Sequence, residues 1–285
     1  MIMALLARQL SHSPKRKKHY RKFFPVLVLL TGLTFIFTLA FGSSLYKYAN
    51  KAYSRAAQAL PWLPGSANHG FGVSIPRSYT TYGIDVSHHQ GKINWSEVVA
   101  MDVGGKRISF VFIKATEGIT RKDNHYDRNW KKAGEAGLMR GAYHYFHPSR
   151  DAAKQARNFI NNVKLQPGDL PPVLDIEVTN RKSKSEIVSG AREWCRLVEE
   201  YYGVKPLIYT SPGYFTSYLA GEFDDYLLWI AHYHSEKPRT GKHKWHFWQH
   251  TDKASVNGIR GYVDLNVYKG DSGSLQKLCI KKIKD

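Results

Sequence analysis

Cysteine is scarce in this sequence, which has two cysteines, Cys195 and Cys279, in 285 residues. So few cysteines exclude a fold built on disulfides and a cysteine-rich zinc module, and they allow at most one intrachain bridge. The 13 histidines also lack the His-Glu-x-x-His spacing of a helical zinc site. No serine stands in a Gly-x-Ser-x-Gly motif. We therefore expect no metal, no cofactor and no serine-hydrolase chemistry.

Acidic residues are missing from residues 1–80, which contain 11 Lys and Arg and no Asp or Glu. The remaining 31 Lys and Arg and all 23 Asp and Glu lie in residues 81–285. More than half of the net charge of +19 therefore precedes a moderately basic domain. A basic domain suits an anionic surface, polymer or nucleic acid without choosing among them. Because so much of the charge lies at the N-terminus, we expect no nucleic-acid partner.

An apolar run without charge covers residues 23–42, and six Lys and Arg precede it in residues 15–22. As a helix this run spans about 30 Å, the thickness of the hydrocarbon layer of a bilayer. The positive-inside rule then predicts a basic cytoplasmic tail at 1–22, a transmembrane anchor at 23–42 and an exported remainder. A cleaved signal peptide is the alternative, although the run exceeds the usual apolar core of about 7–15 residues. Residues 43–80 are predicted to be a linker because Pro and Gly interrupt them.

Short apolar runs alternate with helical stretches throughout residues 81–285. The predicted strands are Tyr82–Val86, Ser109–Ala115, Arg140–Phe146, Pro172–Ile176, Leu207–Thr210, Leu227–Ala231, His246–His250 and Gly261–Val267. The predicted helices are Trp95–Met101, Tyr126–Ala136, Asp151–Val163, Lys184–Tyr202 and Pro212–Leu219. This alternation predicts an α/β fold with a mainly parallel sheet, either a (β/α) barrel with some late helices missing or a doubly wound open sheet. The first strand lacks a following Gly-rich phosphate loop, which favours the barrel.

Carboxylates stand at the ends of several predicted strands, where barrel enzymes carry their chemistry. Asp85, Asp175, Glu177 and Asp264 are the candidates. Asp175 and Glu177 are two residues apart on one strand, so their side chains point the same way. Two buried carboxyls so close should share a proton, which provides a general acid beside an anionic partner, as glycoside hydrolysis requires. A strand-end pair that caps a helix or binds an arginine is the alternative.

Further motifs accompany this pair in a fixed order along the domain. They are Tyr82-Gly83-Ile84-Asp85-Val86-Ser87-His88-His89-Gln90-Gly91, Phe112-Ile113-Lys114-Ala115-Thr116-Glu117-Gly118, Gly141-Ala142-Tyr143-His144-Tyr145-Phe146, Asp175-Ile176-Glu177, Trp229-Ile230-Ala231, Phe247-Trp248-Gln249 and Val263-Asp264-Leu265-Asn266. Together they resemble glycoside hydrolase family 25, over nearly all of residues 81–285. The resemblance implies a flattened barrel of eight strands with fewer helices. The apolar run at residues 23–42 predicts one transmembrane helix before this barrel.

The resemblance also implies a retaining β-1,4-N-acetylmuramidase that cuts peptidoglycan between N-acetylmuramic acid and N-acetylglucosamine. Glu177 is then the general acid and Asp175 its partner, acting either as a direct nucleophile or, as we favour, by assisting the 2-acetamido group of the substrate. Asp85 and Asp264 would line the floor of the site. The expected substrate-binding residues are Tyr209, Lys114, Tyr143, Tyr145, Trp229, Trp248 and Gln249.

The expected partners are peptidoglycan glycan strands and, through the N-terminal helix, a membrane. We expect a monomer whose catalytic domain is exported, with the anchor in an inner membrane that faces the periplasm or cell wall. The alternative function is a non-catalytic module that binds peptidoglycan on the same barrel. That alternative requires an incomplete set of carboxylates, whereas Asp85, Asp175, Glu177 and Asp264 are all present.

Overall fold

The structure of the protein is a computed structural model that describes residues 69–76 and 78–282. The strands are β1 His69–Gly70, β2 Val73–Ser74, β3 Thr81–Val86, β4 Ile108–Glu117, β5 Arg121–Lys122, β6 Met139–Tyr145, β7 Val173–Asp175, β8 Leu207–Thr210, β9 Leu227–Ala231, β10 Phe247–Ala254 and β11 Val263–Tyr268. The helices are α1 Trp95–Ala100, α2 Tyr126–Glu135, α3 Ala152–Asn162, α4 Lys184–Tyr202, α5 Pro212–Tyr214 and α6 Ser272–Leu278, with a 3₁₀-helix at His88–Gln90 and a π-helix at Phe215–Leu219.

Eight strands close into a barrel in the order β3-β4-β6-β7-β8-β9-β10-β11, with β11 pairing back onto β3. Neighbouring strands from β3 to β10 are parallel, whereas β11 runs antiparallel to both of its neighbours. This reversal matters for the site, because the first residues of β11 lie at the end of the barrel where the other strands finish. Asp264 is directly opposite Asp85 in the register of β11 and β3.

The barrel separates two apolar layers. Its interior is filled by aromatic rings, including Phe110, Phe112, Trp229 and Phe247, and the Phe112 ring stacks on Trp229 with centroids 4.3 Å apart. Glycine on β6 makes room for these rings, since a Cβ on Gly141 would lie 2.6 Å from Phe112. The outer layer lies between the strands and the helices.

Helix α4 shows how local sequence sets one of these outer elements. Ser183 forms a capping box with Glu186 at its start, and Gly203 ends it in the left-handed conformation that glycine adopts without steric cost. Its buried residues recur at helical spacing, including Ile187, Ala191 and Trp194, and they face the barrel.

All eight predicted barrel strands are present, and the predicted α/β barrel is confirmed. The segments between β9 and β10 and between β10 and β11 contain no helix, as expected. The elements that were not predicted are helix α6, the short strand β5, the 3₁₀-helix at His88–Gln90 and the hairpin of β1 and β2. Phe71, at the tip of that hairpin, is buried, and its carbonyl accepts a hydrogen bond from the Ser255 N–H. Part of the predicted 43–80 linker therefore packs on the barrel.

No helix in residues 69–76 and 78–282 is long and apolar enough to cross a membrane. The anchor predicted at residues 23–42 lies outside the described residues. Cys195 and Cys279 are both buried free thiols in this structure.

Candidate active site

A cleft of about 310 Å³ opens at the carboxyl end of the barrel. It brings together ten of the eleven residues predicted from the sequence. They are Asp85, Lys114, Tyr143, Tyr145, Asp175, Glu177, Tyr209, Trp229, Gln249 and Asp264. All eight barrel strands thus contribute to one site, which is why these residues are far apart in sequence.

Asp175 and Glu177 share a face because the chain stays extended past the end of β7. The Ile176 N–H between them donates to the carbonyl of Tyr209 at 3.0 Å, and the Ile176 side chain is buried in the outer apolar layer. The two carboxyls consequently point into the cleft. Asp175 lies deeper, with 4% of its surface exposed, and one of its carboxyl oxygens has no hydrogen-bond partner among the described residues.

Burial determines the charge state of this pair. Loss of solvent, reinforced by the charge of Glu177, raises the pKa of Asp175 well above the value of an exposed aspartate. Burial also raises the pKa of Glu177, against the hydrogen bond from Asp175 and the charge of Lys114, which both lower it. The pair therefore holds a proton to higher pH than two exposed carboxyls would, with Asp175 the donor of the hydrogen bond between them.

A second carboxyl pair lies across the β3–β11 register. Burial raises the pKa of Asp85 to about 6, although one of its oxygens accepts hydrogen bonds from the side-chain amides of Gln249 and Asn266, both at 2.8 Å. Burial and the charge of Asp85 raise the pKa of Asp264 to about 8. Asp264 therefore keeps its proton at neutral pH beside a largely ionised Asp85.

Gln249 organises the cleft beside this pair. Its side-chain oxygen accepts hydrogen bonds from the hydroxyls of Tyr209 at 2.8 Å and Tyr233 at 2.7 Å, while its amide donates to Asp85. These contacts fix the orientation of the Gln249 amide and hold both tyrosine rings at the cleft. Asn266 plays a similar part, because it accepts from the Trp229 indole at 2.7 Å and donates to Asp85.

The remaining predicted residues at the cleft are Lys114, Tyr143, Tyr145 and Trp229. Lys114 lies over the Tyr145 ring, 4.9 Å from its centroid, and pairs with Glu117 at 2.7 Å. Its charge lowers the pKa of both Asp175 and Glu177. Trp229 is almost fully buried among the interior rings, and Tyr143 meets it edge to face at 6.4 Å.

Trp248 does not reach the cleft, contrary to the sequence prediction. Its indole donates to the carbonyl of His232 at 2.8 Å and its ring packs against Tyr79 and Trp245 in the outer layer. Successive side chains on a strand point to opposite faces, so a β10 that directs Gln249 into the barrel must direct Trp248 outward.

The family model of Glycosyl hydrolases family 25 matches residues 84–259, which is more than half of the chain. The chain belongs to this family. YegX of Escherichia coli is 40% identical over 259 residues, covering 90% of this chain and 94% of YegX. Lysozyme M1 of Streptomyces globisporus is 34% identical over 212 residues, covering 69% of this chain and 70% of that protein.

A solved structure gives the same result. The bacterial lysozyme from Streptomyces coelicolor is 32% identical and superposes with a TM-score of 0.65 over 70% of this chain and 96% of that one. The predicted family and the predicted enzyme class are therefore confirmed, and the chain is a glycoside hydrolase.

Two residues that organise this family 25 site were absent from the predicted set, namely Tyr233 and Asn266. Asn266 was predictable, because it lies two residues after Asp264 and so shares its strand face. Tyr233 follows the end of β9 in a loop, where no periodicity predicts the direction of a side chain. The cleft is completed by Val86, Ser87, His89 and Gln90, from the end of β3 and the turn that follows it.

Proposed function

We propose that this glycoside hydrolase is a muramidase that cleaves the β-1,4 bond between N-acetylmuramic acid and N-acetylglucosamine in peptidoglycan. The observation that carries this proposal is the pair Asp175 and Glu177, which lines the cleft of a barrel whose relatives include lysozymes. A carboxyl pair that retains a proton, with Asp175 buried and Glu177 open to the cleft, is what acid-assisted cleavage of a glycosidic bond requires.

Glu177 is proposed as the general acid that protonates the leaving oxygen. It is the less buried of the pair and lines the cleft, so a glycosidic oxygen can approach it. The proton held between Asp175 and Glu177 in the free enzyme must be on Glu177 when the bond breaks.

Asp175 is proposed to assist the 2-acetamido group of the substrate, which attacks the anomeric carbon with retention of configuration. Both carboxyls lie on one strand face and the substrate carries an N-acetyl group, which favours assistance over direct attack. Direct attack by Asp175 is the alternative mechanism. A glycosyl adduct on Asp175, detected by mass spectrometry of the enzyme during turnover, would establish direct attack instead.

The surrounding residues are proposed to bind and orient the sugar. Asp85 and Asp264 offer one ionised and one protonated carboxyl on the floor of the cleft. Tyr209 is proposed to contact the acetamido group, and its hydroxyl is already oriented by Gln249. Tyr143 and Tyr145 provide aromatic surface for sugar faces, above the almost fully buried Trp229.

We further propose that the enzyme is a monomer held at the outer face of a membrane by residues 23–42. The apolar run and the basic segment before it support this location. Residues 43–68 are then left to connect the anchor to the hairpin that packs on the barrel. A cleaved signal peptide remains the alternative for residues 23–42.

The competing function is a module that binds glycan without turnover. Four carboxyls line the cleft, and Asp85 is held there by hydrogen bonds from Gln249 and Asn266. They favour the enzyme, because a binding site has no need of carboxyls that burial makes costly to ionise.

Digestion of purified peptidoglycan by full-length protein in detergent tests this choice. We expect wild type to release soluble fragments and Glu177→Gln to be about 10²–10⁴-fold slower, because the amide cannot donate the acid proton. The circular dichroism spectrum should be unchanged. Wild-type protein that retains glycan on a pull-down but releases nothing would favour the binding module.

A further inference from the structure

Glu117, which lies outside the predicted site, is brought to the cleft wall by an irregularity in β4. In a regular strand, residues three apart point to opposite faces, so Lys114 and Glu117 should diverge. Their side chains instead meet at 2.7 Å. The register explains this: Lys114 pairs with Tyr143 and Thr116 pairs with His144, so β4 advances two residues while β6 advances one.

The extra residue forms a β-bulge. Side chains after the bulge therefore point to the opposite face of β4 from the one that regular alternation predicts. Ala115 and Thr116 are both fully buried. The Thr116 hydroxyl is hydrogen-bonded to His144 at 2.7 Å, and His144 stacks on Trp194 of the outer layer. The Ala115 carbonyl accepts from the Asp123 N–H at 2.9 Å. Bulges of this kind redirect a side chain next to an active site, and here the redirected side chain is Glu117.

Lys114 is the lysine among the residues that line the cleft, so the partner of its ammonium group affects the cleft carboxyls. Among the described residues its ammonium forms an ion pair with Glu117 and with neither Asp175 nor Glu177. Both partners are largely sheltered, with 15% and 20% of their side chains exposed, so solvent screens the pair only partly. Although burial raises the pKa of Glu117, the hydrogen bond and charge of Lys114 hold it below the usual value, so Glu117 is ionised.

We propose that Glu117 is a positioning residue that holds the Lys114 ammonium away from the Asp175–Glu177 pair, so that the pair keeps the proton used in catalysis. Without this counter-charge, Lys114 would turn to the nearest remaining carboxylates, those of the catalytic pair, and favour their ionisation. This inference rests on the proposed function in one respect, the assignment of Glu177 as the acid.

Other charged groups face these residues and are present in all the variants below. Glu117 also contacts the His147 ring at 3.3 Å and the Arg121 guanidinium at 3.6 Å. Besides Lys114, the titratable groups that line the cleft with the catalytic pair are Asp85, His89, Tyr143, Tyr145, Tyr209, Tyr233 and Asp264.

The test is the pH dependence of kcat/KM for peptidoglycan cleavage by full-length wild type and Glu117→Gln. The alkaline limb of this profile reports the pKa of the acid in the free enzyme. In Glu117→Gln we expect this limb to move to lower pH by about one pH unit, because a cation close to a carboxylate lowers its pKa by that order. Activity well above the limb should fall about tenfold.

Lys114→Met separates a positioning role from a general loss of structure. This variant removes the cation, so its alkaline limb should move to higher pH than in wild type. Adding Glu117→Gln to it should then change the limb little, because Glu117 acts through Lys114. The proposal would be contradicted if Glu117→Gln moved the alkaline limb equally in wild type and in Lys114→Met. It would also be contradicted if either single variant had the alkaline limb of wild type. Lys114→Met keeps the test decisive even if Glu117→Gln does not fold.

Two comparisons complete the design. Glu135→Gln removes a lysine–glutamate pair of the same spacing and 2.7 Å length on the exposed face of α2, and it should leave the profile unchanged. Glu117→Asp retains the charge and should restore most of the wild-type limb. If wild type generates no N-acetylmuramic acid ends from peptidoglycan, the proposed function fails. If wild type generates N-acetylmuramic acid ends but the alkaline limb is the same in wild type and the variants, only the proposed role of Glu117 fails.

Discussion

The most important property of the individual site residues is the ionisation of four carboxyl groups that share one small cleft. Asp175 and Glu177 repel along one strand, and Asp85 and Asp264 repel across two. Each pair lowers its electrostatic cost by keeping a proton, and the amides of Gln249 and Asn266 stabilise the charge that stays on Asp85. The site thus stores protonated carboxyls at neutral pH, which costs stability and serves acid catalysis.

Asp264 allows a direct test of that cost. Its pKa is raised from 3.8 to about 8 on folding, so between these values the folded state holds a proton that the unfolded state releases. Stability contributed by this proton is present at low pH and declines as pH rises through that window. Asp264→Asn cannot ionise, so its melting temperature relative to wild type should increase progressively from pH 4.5 to about pH 8.5.

Asp102 provides the matched control for this measurement. It is an exposed aspartate whose pKa is lowered by the hydrogen bond from Arg107. Asp102→Asn should therefore gain nothing relative to wild type as pH rises. A difference in melting temperature between Asp264→Asn and wild type that stays constant with pH would show that Asp264 ionises freely in the folded protein.

At the scale of elements, the barrel depends on glycines that accept aromatic rings from the neighbouring strand. Gly141 on β6 faces the Phe112 ring of β4, and an added Cβ would lie 2.6 Å from two of its carbons. Because Phe112 is fully buried and stacked on Trp229, its ring cannot move without disturbing the interior layer. Gly141→Ala should lower the free energy of unfolding by about 1–3 kcal/mol, as measured by urea denaturation.

Gly213 is the control for that substitution. It lies in α5 with no atom within 4 Å of an added Cβ. Gly213→Ala should be neutral or slightly stabilising, since alanine restricts the unfolded chain. Equal losses in the two variants would mean that the packing around Gly141 is not the cause.

The predictability of these elements follows from their physics. Strands buried on both faces are continuous apolar runs, so the eight barrel strands were recognisable in the sequence. Strand alternation also placed Asp175 and Glu177 together correctly. Alternation does not say which of two successive residues points into the barrel, and this is why Trp248 was assigned to the wrong face. It also fails across a β-bulge, as between Lys114 and Glu117. The β1–β2 hairpin is only two residues per strand and is held by tertiary contacts, which local pattern does not reveal.

At the scale of the whole molecule, positive charge is unevenly divided between the N-terminal 80 residues and the catalytic domain. The first 80 residues carry 11 basic and no acidic residues, and the rest carries 31 basic and 23 acidic ones. If residues 23–42 form an anchor, the catalytic barrel reaches only glycan close to the membrane. Such a tethered barrel is as compatible with local remodelling or a septal role as with bulk lysis.

Membrane fractionation of cells that produce the full chain tests the anchor. We expect the protein in the membrane fraction after alkaline carbonate extraction, because about 20 apolar residues are enough to span a bilayer. A truncated chain that begins at residue 43, exported by an unrelated cleavable signal, should be released as soluble protein. Release of the full-length product, with its N-terminus at about residue 43, would identify residues 1–42 as a cleaved signal peptide instead.

The identity of the sugar at the newly formed chain ends tests the central claim most directly. Peptidoglycan is digested with the full-length protein, the products are reduced with borohydride, and the reduced ends are identified by mass spectrometry. The account predicts reduced N-acetylmuramic acid ends that depend on Glu177 and are absent with Glu177→Gln. Reduced N-acetylglucosamine ends would contradict the proposed bond, and muramic acid ends that persist in Glu177→Gln would contradict the proposed acid.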